Sequence, residues 1–189
     1  MLAATSVLFG LACRPAAKPV AIGNKPVSIN EQPTTNQVLP PLKPIEEMSW
    51  TKFDGKTGAI GAEQKMKTLR GKVVILDFWA TYCKPCIEMI PHLKKLRDRH
   101  PDQVEIVGLH VGGGEDFPNV PSFVERLKID YTLGTPESEL SRFVFGDKTD
   151  IPQTAVFDRE GRLVKKMIGF DPLIEKEIDE AVATAVNQK

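Results

Sequence analysis

Apolar positions run almost unbroken from Val73 to Trp79, VVILDFW, with Asp77 as the one interruption. A β-branched start and a Gly71-Lys72 turn just before it make this stretch a predicted central strand, covered on both faces. Then the period changes. Over residues 83–99, Ile87, Ile90, Leu93 and Leu96 recur every third position, which is the stripe of a helix with one buried face. Residues 104–111 read as a second buried strand, and residues 121–127 and 137–145 as short helices. Residues 154–157, a turn at Arg159-Glu160-Gly161, and Leu163–Ile168 predict a hairpin. Asp171-Pro172 opens a last helix, because Asp accepts free N–H groups and Pro loses nothing in a first turn. Its inner face is Ile174, Ile178, Ala181, Val182 and Ala185. Upstream, Ser49–Phe53 predicts a strand entering an Asp54-Gly55 turn, the glycine supplying a positive φ. Strands alternating with helices, closed by a hairpin and a helix, predict an α/β fold with a mixed sheet over residues 45–189.

Before residue 45 the pattern is different. Residues 2–12, LAATSVLFGLA, form an apolar run that suits the h-region of an export signal and is too short to span a bilayer. No Lys or Arg precedes it. Leu11-Ala12-Cys13 resembles the end of a bacterial lipobox, although Gly10 stands where that box usually has Leu. The expectation is a signal over residues 1–13, of lipoprotein type, with Cys13 lipidated. Residues 14–44 turn to Pro, Lys, Asn, Gln and Thr without a sustained period and predict an extended linker.

Charge removes several function classes. Lys+Arg and Asp+Glu each number 25, so the formal net charge is zero, and no basic stripe offers a footprint for nucleic acid. Nor does any apolar run reach the eighteen or so residues of a membrane-spanning helix. Of the three cysteines, Cys13 is isolated while Cys83 and Cys86 form a C-x-x-C. A structural zinc site would need a second such pair or paired histidines, and His92, His100 and His110 are scattered. No metal and no cofactor are expected.

The C-x-x-C lies at the junction of a buried strand and a helix, a setting that favours redox chemistry over packing. Cys83 at the helix N-terminus meets unpaired N–H groups and the positive end of the macrodipole, which favour a thiolate. Lys84 adds a positive charge, and Pro85 fits a first turn. Cys86, one turn on, falls within disulfide reach. These positions make Cys83 the attacking thiol and Cys86 the resolving one. Asp77 is a lone acid among buried residues, so its pKa should be raised, and it is either a base for Cys86 or a satisfied acid at a strand end.

DFWATYCKPC over residues 77–86 resembles the thioredoxin active-site segment, and its flanks resemble the TlpA/ResA-like branch of that superfamily. The matching pieces are FDGKT at 53–57, RGKVVILDFWATYCKPC at 70–86, Pro91, VEIVGLHV at 104–111 and IPQTAVFDREGRLV at 151–164. They run in family order and cover the chain from about Met48 to its end. The resemblance implies a thioredoxin-like three-layer α/β/α sandwich. It also implies an exported, membrane-tethered thiol-disulfide oxidoreductase working as a reductant on the periplasmic side, for example in cytochrome c maturation. Its partners would be protein thiols and disulfides, with a membrane electron donor upstream. By position, Pro91 would kink the active-site helix, and Asp77 would be the buried carboxylate. Ile151-Pro152 would be the cis-proline loop that packs on the sulfurs and binds substrate backbone. Trp79, Tyr82, Lys84, Pro85 and Ile151 would then form the substrate surface, with Tyr82 replacing the family's usual Trp.

Two rival activities share the fold. A thiol peroxidase of the redoxin group wants Thr three residues before its cysteine, where this chain has Ala80. A copper-binding assembly factor wants a longer C-x-x-x-C and a distal His, and none follows His110. Gly112-Gly113-Gly114-Glu115-Asp116 lacks the remaining residues of a phosphate loop and reads as a mobile acidic loop.

Overall fold

Seven strands make one mixed sheet in a computed structural model that describes residues 43–188. The expected signal, Cys13 and all but the last two residues of the expected linker lie outside the described residues. The strands are β1 (Ser49–Phe53), β2 (Ile60–Lys65), β3 (Val73–Trp79), β4 (Val104–His110), β5 (Thr132–Pro136), β6 (Gln153–Phe157) and β7 (Leu163–Ile168). Their order across the sheet is β2-β1-β5-β4-β3-β6-β7. β4 runs parallel to β3 and to β5, and every other neighbour pair is antiparallel. The helices are α1 (Lys84–Arg99), α2 (Gly113–Asp116), α3 (Val120–Leu127), α4 (Ser138–Phe145) and α5 (Pro172–Asn187).

Period-2 alternation along β3 sends its side chains to opposite faces and builds the layers. Val73 and Ile75 pack with Met89, Leu93 and Leu96 of α1 and with Ile178, Ala181 and Val182 of α5. Val74, Leu76 and Phe78 pack on the other face with Leu140 and Val144 of α4. Trp79 returns to the α1 face, among Cys86, Ile90 and Phe123. The result is the three-layer α/β/α sandwich that the resemblance implied. Each fully buried Leu, Ile or Val here contributes roughly 1.5–3 kcal/mol, so the alternation of β3 also fixes its register. α5 starts as expected: Asp171 Oδ1 accepts from the N–H groups of Leu173 at 2.8 Å and Ile174 at 2.9 Å.

Three expectations are corrected. β2 and β5 were not anticipated, because IGAEQK has no alternating apolar face and TLGTP is short and carries Gly and Pro. Both acquire strand structure from their partners rather than from propensity. After β1, the positive φ of +71° falls on Gly58 and not on Gly55. Asp54 organises that turn by accepting from the N–H groups of Lys56 and Thr57, while a Cβ on Gly55 would lie 2.7 Å from Leu133 Cδ1. The expected mobile acidic loop is a turn of helix, α2, with Asp116 buried.

Candidate active site

β3 delivers the chain to its C-terminal end at Trp79, and residues 80–82 carry it across to α1. Cys83 is the N-cap of that helix, and its sulfur accepts from the Cys86 N–H at 3.2 Å. The two cysteines are joined by a disulfide, with Cα atoms 5.3 Å apart. Cys83 is 5% exposed and Cys86 is fully buried, so an incoming group meets Cys83 first. Lys84 is exposed, Pro85 is half-buried at the first turn, and Tyr82 stands out at 69% exposure. Pro91 lies within α1 and cannot donate to the Ile87 carbonyl. A helix N-terminus aimed at one sulfur, with a second sulfur buried behind it, can cycle between dithiol and disulfide.

Asp77 faces the α1 side of the sheet, between Ile75 and Trp79 in the alternation of β3. It is fully buried, and burial pushes its carboxyl up to about 7 against the opposing hydrogen bond from Tyr131. The Tyr131 hydroxyl donates to Oδ2 at 3.5 Å, and Oδ1 has no partner among the described residues. Thr154 lies opposite Asp77 on β6, and its hydroxyl reaches Met89 Sδ of α1 at 3.3 Å. Trp79, expected on the substrate surface, is corrected. It is fully buried, stacked on Phe123 at 4.9 Å and edge-on to His110, so it supports the site from below.

On the rim, the Ile151–Pro152 bond is cis, and Ile151 packs on the cluster that contains Cys83 and Cys86. Pro152 is buried, and its carbonyl accepts from Gly169 N–H at 2.8 Å. Tyr82 and Ile151 line one surface hollow together with Val111, Phe145 and Lys148. On the other side, Asp116 clamps the 80–82 segment. One Asp116 oxygen accepts from the Thr81 N–H at 2.8 Å and faces His110 Nε2 at 2.9 Å, and the other accepts from the Thr81 hydroxyl. Burial opposes charge on Asp116, but the Thr81 bonds, His110 and Asn119 outweigh it and hold the carboxyl below its ordinary value. Gly112 must be glycine here, since a Cβ would lie 2.2 Å from Asp116 Oδ2.

Asp116, His110, Thr81 and Tyr131 belong to this site, and the sequence reading did not assign them to it. Asp116 was visible only as part of an acidic run, and nothing local links Tyr131 to Asp77, 54 positions away. Ala80 is buried and offers no hydroxyl beside Cys83. Among the described residues, no group of three or more His, Cys, Asp or Glu side chains converges to hold a metal ion. No described helix is long and apolar enough to cross a membrane.

Residues 48–166 match the family described as AhpC/TSA. The chain is 34% identical over 109 residues to the thiol-disulfide oxidoreductase ResA of Geobacillus thermodenitrificans, covering 57% of this chain and 60% of that protein. It is 30% identical over 112 residues to the ResA of Bacillus subtilis, covering 58% and 60%. The matched region thus spans about 60% of the length of these curated relatives. Among solved structures, a thiol:disulfide interchange protein of the thioredoxin family from Chlorobium tepidum superposes with a TM-score of 0.59 at 24% identity, covering 78% of this chain and 99% of that one.

Proposed function

This chain belongs to the AhpC/TSA family, and from that premise we propose that it is a thiol-disulfide oxidoreductase that reduces disulfides in other proteins through Cys83 and Cys86. The observation that carries the reading is the Cys83–Cys86 disulfide across the first turn of α1, with Cys83 slightly exposed and Cys86 fully buried. The names of the ResA relatives support it. In the reduced protein the Cys83 thiolate attacks a substrate disulfide, and the mixed disulfide forms as one substrate sulfur leaves. Cys86 then attacks Cys83 Sγ, closing the internal disulfide and releasing the second substrate thiol. Asp77 takes the Cys86 proton during that second step. Tyr82, Lys84, Pro85 and Ile151 form the contact surface, and the cis Ile151–Pro152 loop receives the substrate backbone beside the cysteines. The setting is extracytoplasmic, with Cys13 lipidated, residues 14–44 as the tether, and a membrane electron donor returning the cysteines to the dithiol.

Cysteine-specific alkylation of the reduced protein at pH 7 tests the core of this reading. Cys83 should react at least about tenfold faster than Cys86, given its place at the helix N-terminus. Cys86→Ser should accumulate mixed disulfides with protein substrates, and Cys83→Ser should not. Equal labelling, or trapping by Cys83→Ser, would reverse the assignment.

A further inference from the structure

Asp77 is fully buried with one oxygen unpartnered and one held, and the holding group comes from an unexpected place. Across the β3–β4 ladder, Asp77 stands in register with Gly108. A Cβ at Gly108 would lie 2.8 Å from Tyr131 Cε2, 2.8 Å from Leu133 Cδ2 and 3.0 Å from Trp79 Nε1. Those separations are shorter than any real Cβ contact sustains, or at the limit, and two of the three atoms belong to rigid rings. The missing side chain on β4 is therefore what admits the Tyr131 ring to the space beside Asp77. Tyr131 enters from the turn before β5, where the Lys128 N–H and the Ile129 N–H bond back to Glu125 and Val124 of α3. Asp130, next to it, is paired with Arg97 of α1 at 3.0 Å. The ring packs on both hydrophobic clusters that flank α1.

We propose that Tyr131 is a positioning residue for Asp77, its hydroxyl holding Oδ2 so that Oδ1 is left to receive the Cys86 proton, with Gly108 as the residue that makes room for it. The inference rests on the thiol-disulfide exchange proposed above. In the resolving step the Cys86 S–H proton passes to Asp77 Oδ1, and the Cys86 sulfur forms a bond to Cys83 Sγ as the Cys83–substrate bond breaks. The substrate sulfur leaves as a thiolate and takes a proton from water, so the substrate disulfide gains two electrons and the dithiol loses two. A donor on Oδ2 favours the ionised carboxylate that this transfer needs. Around Asp77, β4 offers only Gly108 in register, β6 offers Thr154, and α1 offers Met89 through Thr154. Among the described residues, burial and Tyr131 are the influences that shift Asp77. The charges of Asp130 and Arg97 act on Tyr131 instead.

The test is Tyr131→Phe, which keeps the ring and removes the donor. Carbon-detected NMR titration of the Asp77 carboxyl in the oxidised full chain should show its midpoint moving up by about 0.5–1 pH unit, the loss of one long hydrogen bond to a charged group. Resolution of a preformed mixed disulfide at pH 6 should slow by roughly three- to tenfold, with the pH profile displaced by the same amount. In an Asp77→Asn background, Tyr131→Phe should leave the profile where it is. An unchanged or lowered Asp77 midpoint overturns the proposal, as does an equal effect of Tyr131→Phe with and without Asp77. The NMR titration needs no substrate, so a protein that exchanges no thiols would remove the proposed activity while leaving the Tyr131–Asp77 link still decided by this measurement.

Discussion

At the scale of single residues, Asp77 ties the stability of the fold to pH. Its carboxyl titrates at about 7 in the fold, against 3.8 for the free group, because burial penalises the charge. The folded pKa is the raised one, so the stability is full below about pH 4 and falls as pH rises through about 7. The gap corresponds to on the order of 4 kcal/mol. Asp77→Asn should therefore flatten the pH dependence of urea unfolding between pH 4 and 8, while slowing release of the mixed disulfide near neutrality. A variant with wild-type pH dependence, or with wild-type turnover, would reduce Asp77 to a packing residue. Both cysteines and this acid were legible in the sequence, since a strand-to-helix C-x-x-C and a lone charge in an apolar run are local signals. Tyr131 was not, because its contact with Asp77 exists only where β3, β4 and the turn before β5 come together.

Among the elements, α1 and α2 cooperate on the short segment that precedes Cys83. α1 supplies the N-terminal amide that points at the Cys83 sulfur, and α2 supplies Asp116, which holds Thr81 by its backbone and its hydroxyl. Asp116→Ala removes these acceptors and the partner of buried His110, and should cost on the order of 2–3 kcal/mol in chemical denaturation at pH 7. The Asp116 pKa is held below its ordinary value, so this contribution is present above about pH 4 and is lost as pH falls through the folded pKa. The stabilities of variant and wild type should accordingly converge in acid; a constant difference down to pH 2 would mean that the loss is one of packing. The strands β2 and β5 and the helix α2 show what local pattern misses. Each is short, and each owes its form to neighbours: β1 for β2, β1 and β4 for β5, and Thr81 with His110 for the end of α2.

Considered as a whole, the chain carries the α/β fold over its described residues, 43–188, and the sequence ahead of them suggests an anchor. The apolar run, the Leu11-Ala12-Cys13 ending and the Pro-rich stretch after it predict that the mature protein begins at Cys13 and carries lipid there. Two acyl chains suffice for stable attachment where one is marginal. Mass spectrometry of protein recovered from membranes should find residues 1–12 removed and a lipid adduct on Cys13. Mature protein that retains Met1, or begins well after Cys13, would leave the folded part without this anchor.

Sequence alone determined the features whose physics is local. It predicted the continuous strand from VVILDFW, the helix that begins at the C-x-x-C, the cap at Asp171 and the closing hairpin, because period, capping and turn chemistry act over a few residues. Motif resemblance added the layered fold and the proline loop, whose Ile151–Pro152 bond is cis. Only the tertiary structure decided what surrounds the sulfurs. It buried Trp79 beneath them rather than presenting it to a partner, drew Asp116 inward to hold Thr81, and brought Tyr131 to Asp77 over the space that Gly108 leaves. These are contacts between residues dozens of positions apart, set by which strands become neighbours in the sheet, and no local window of the chain contains both partners.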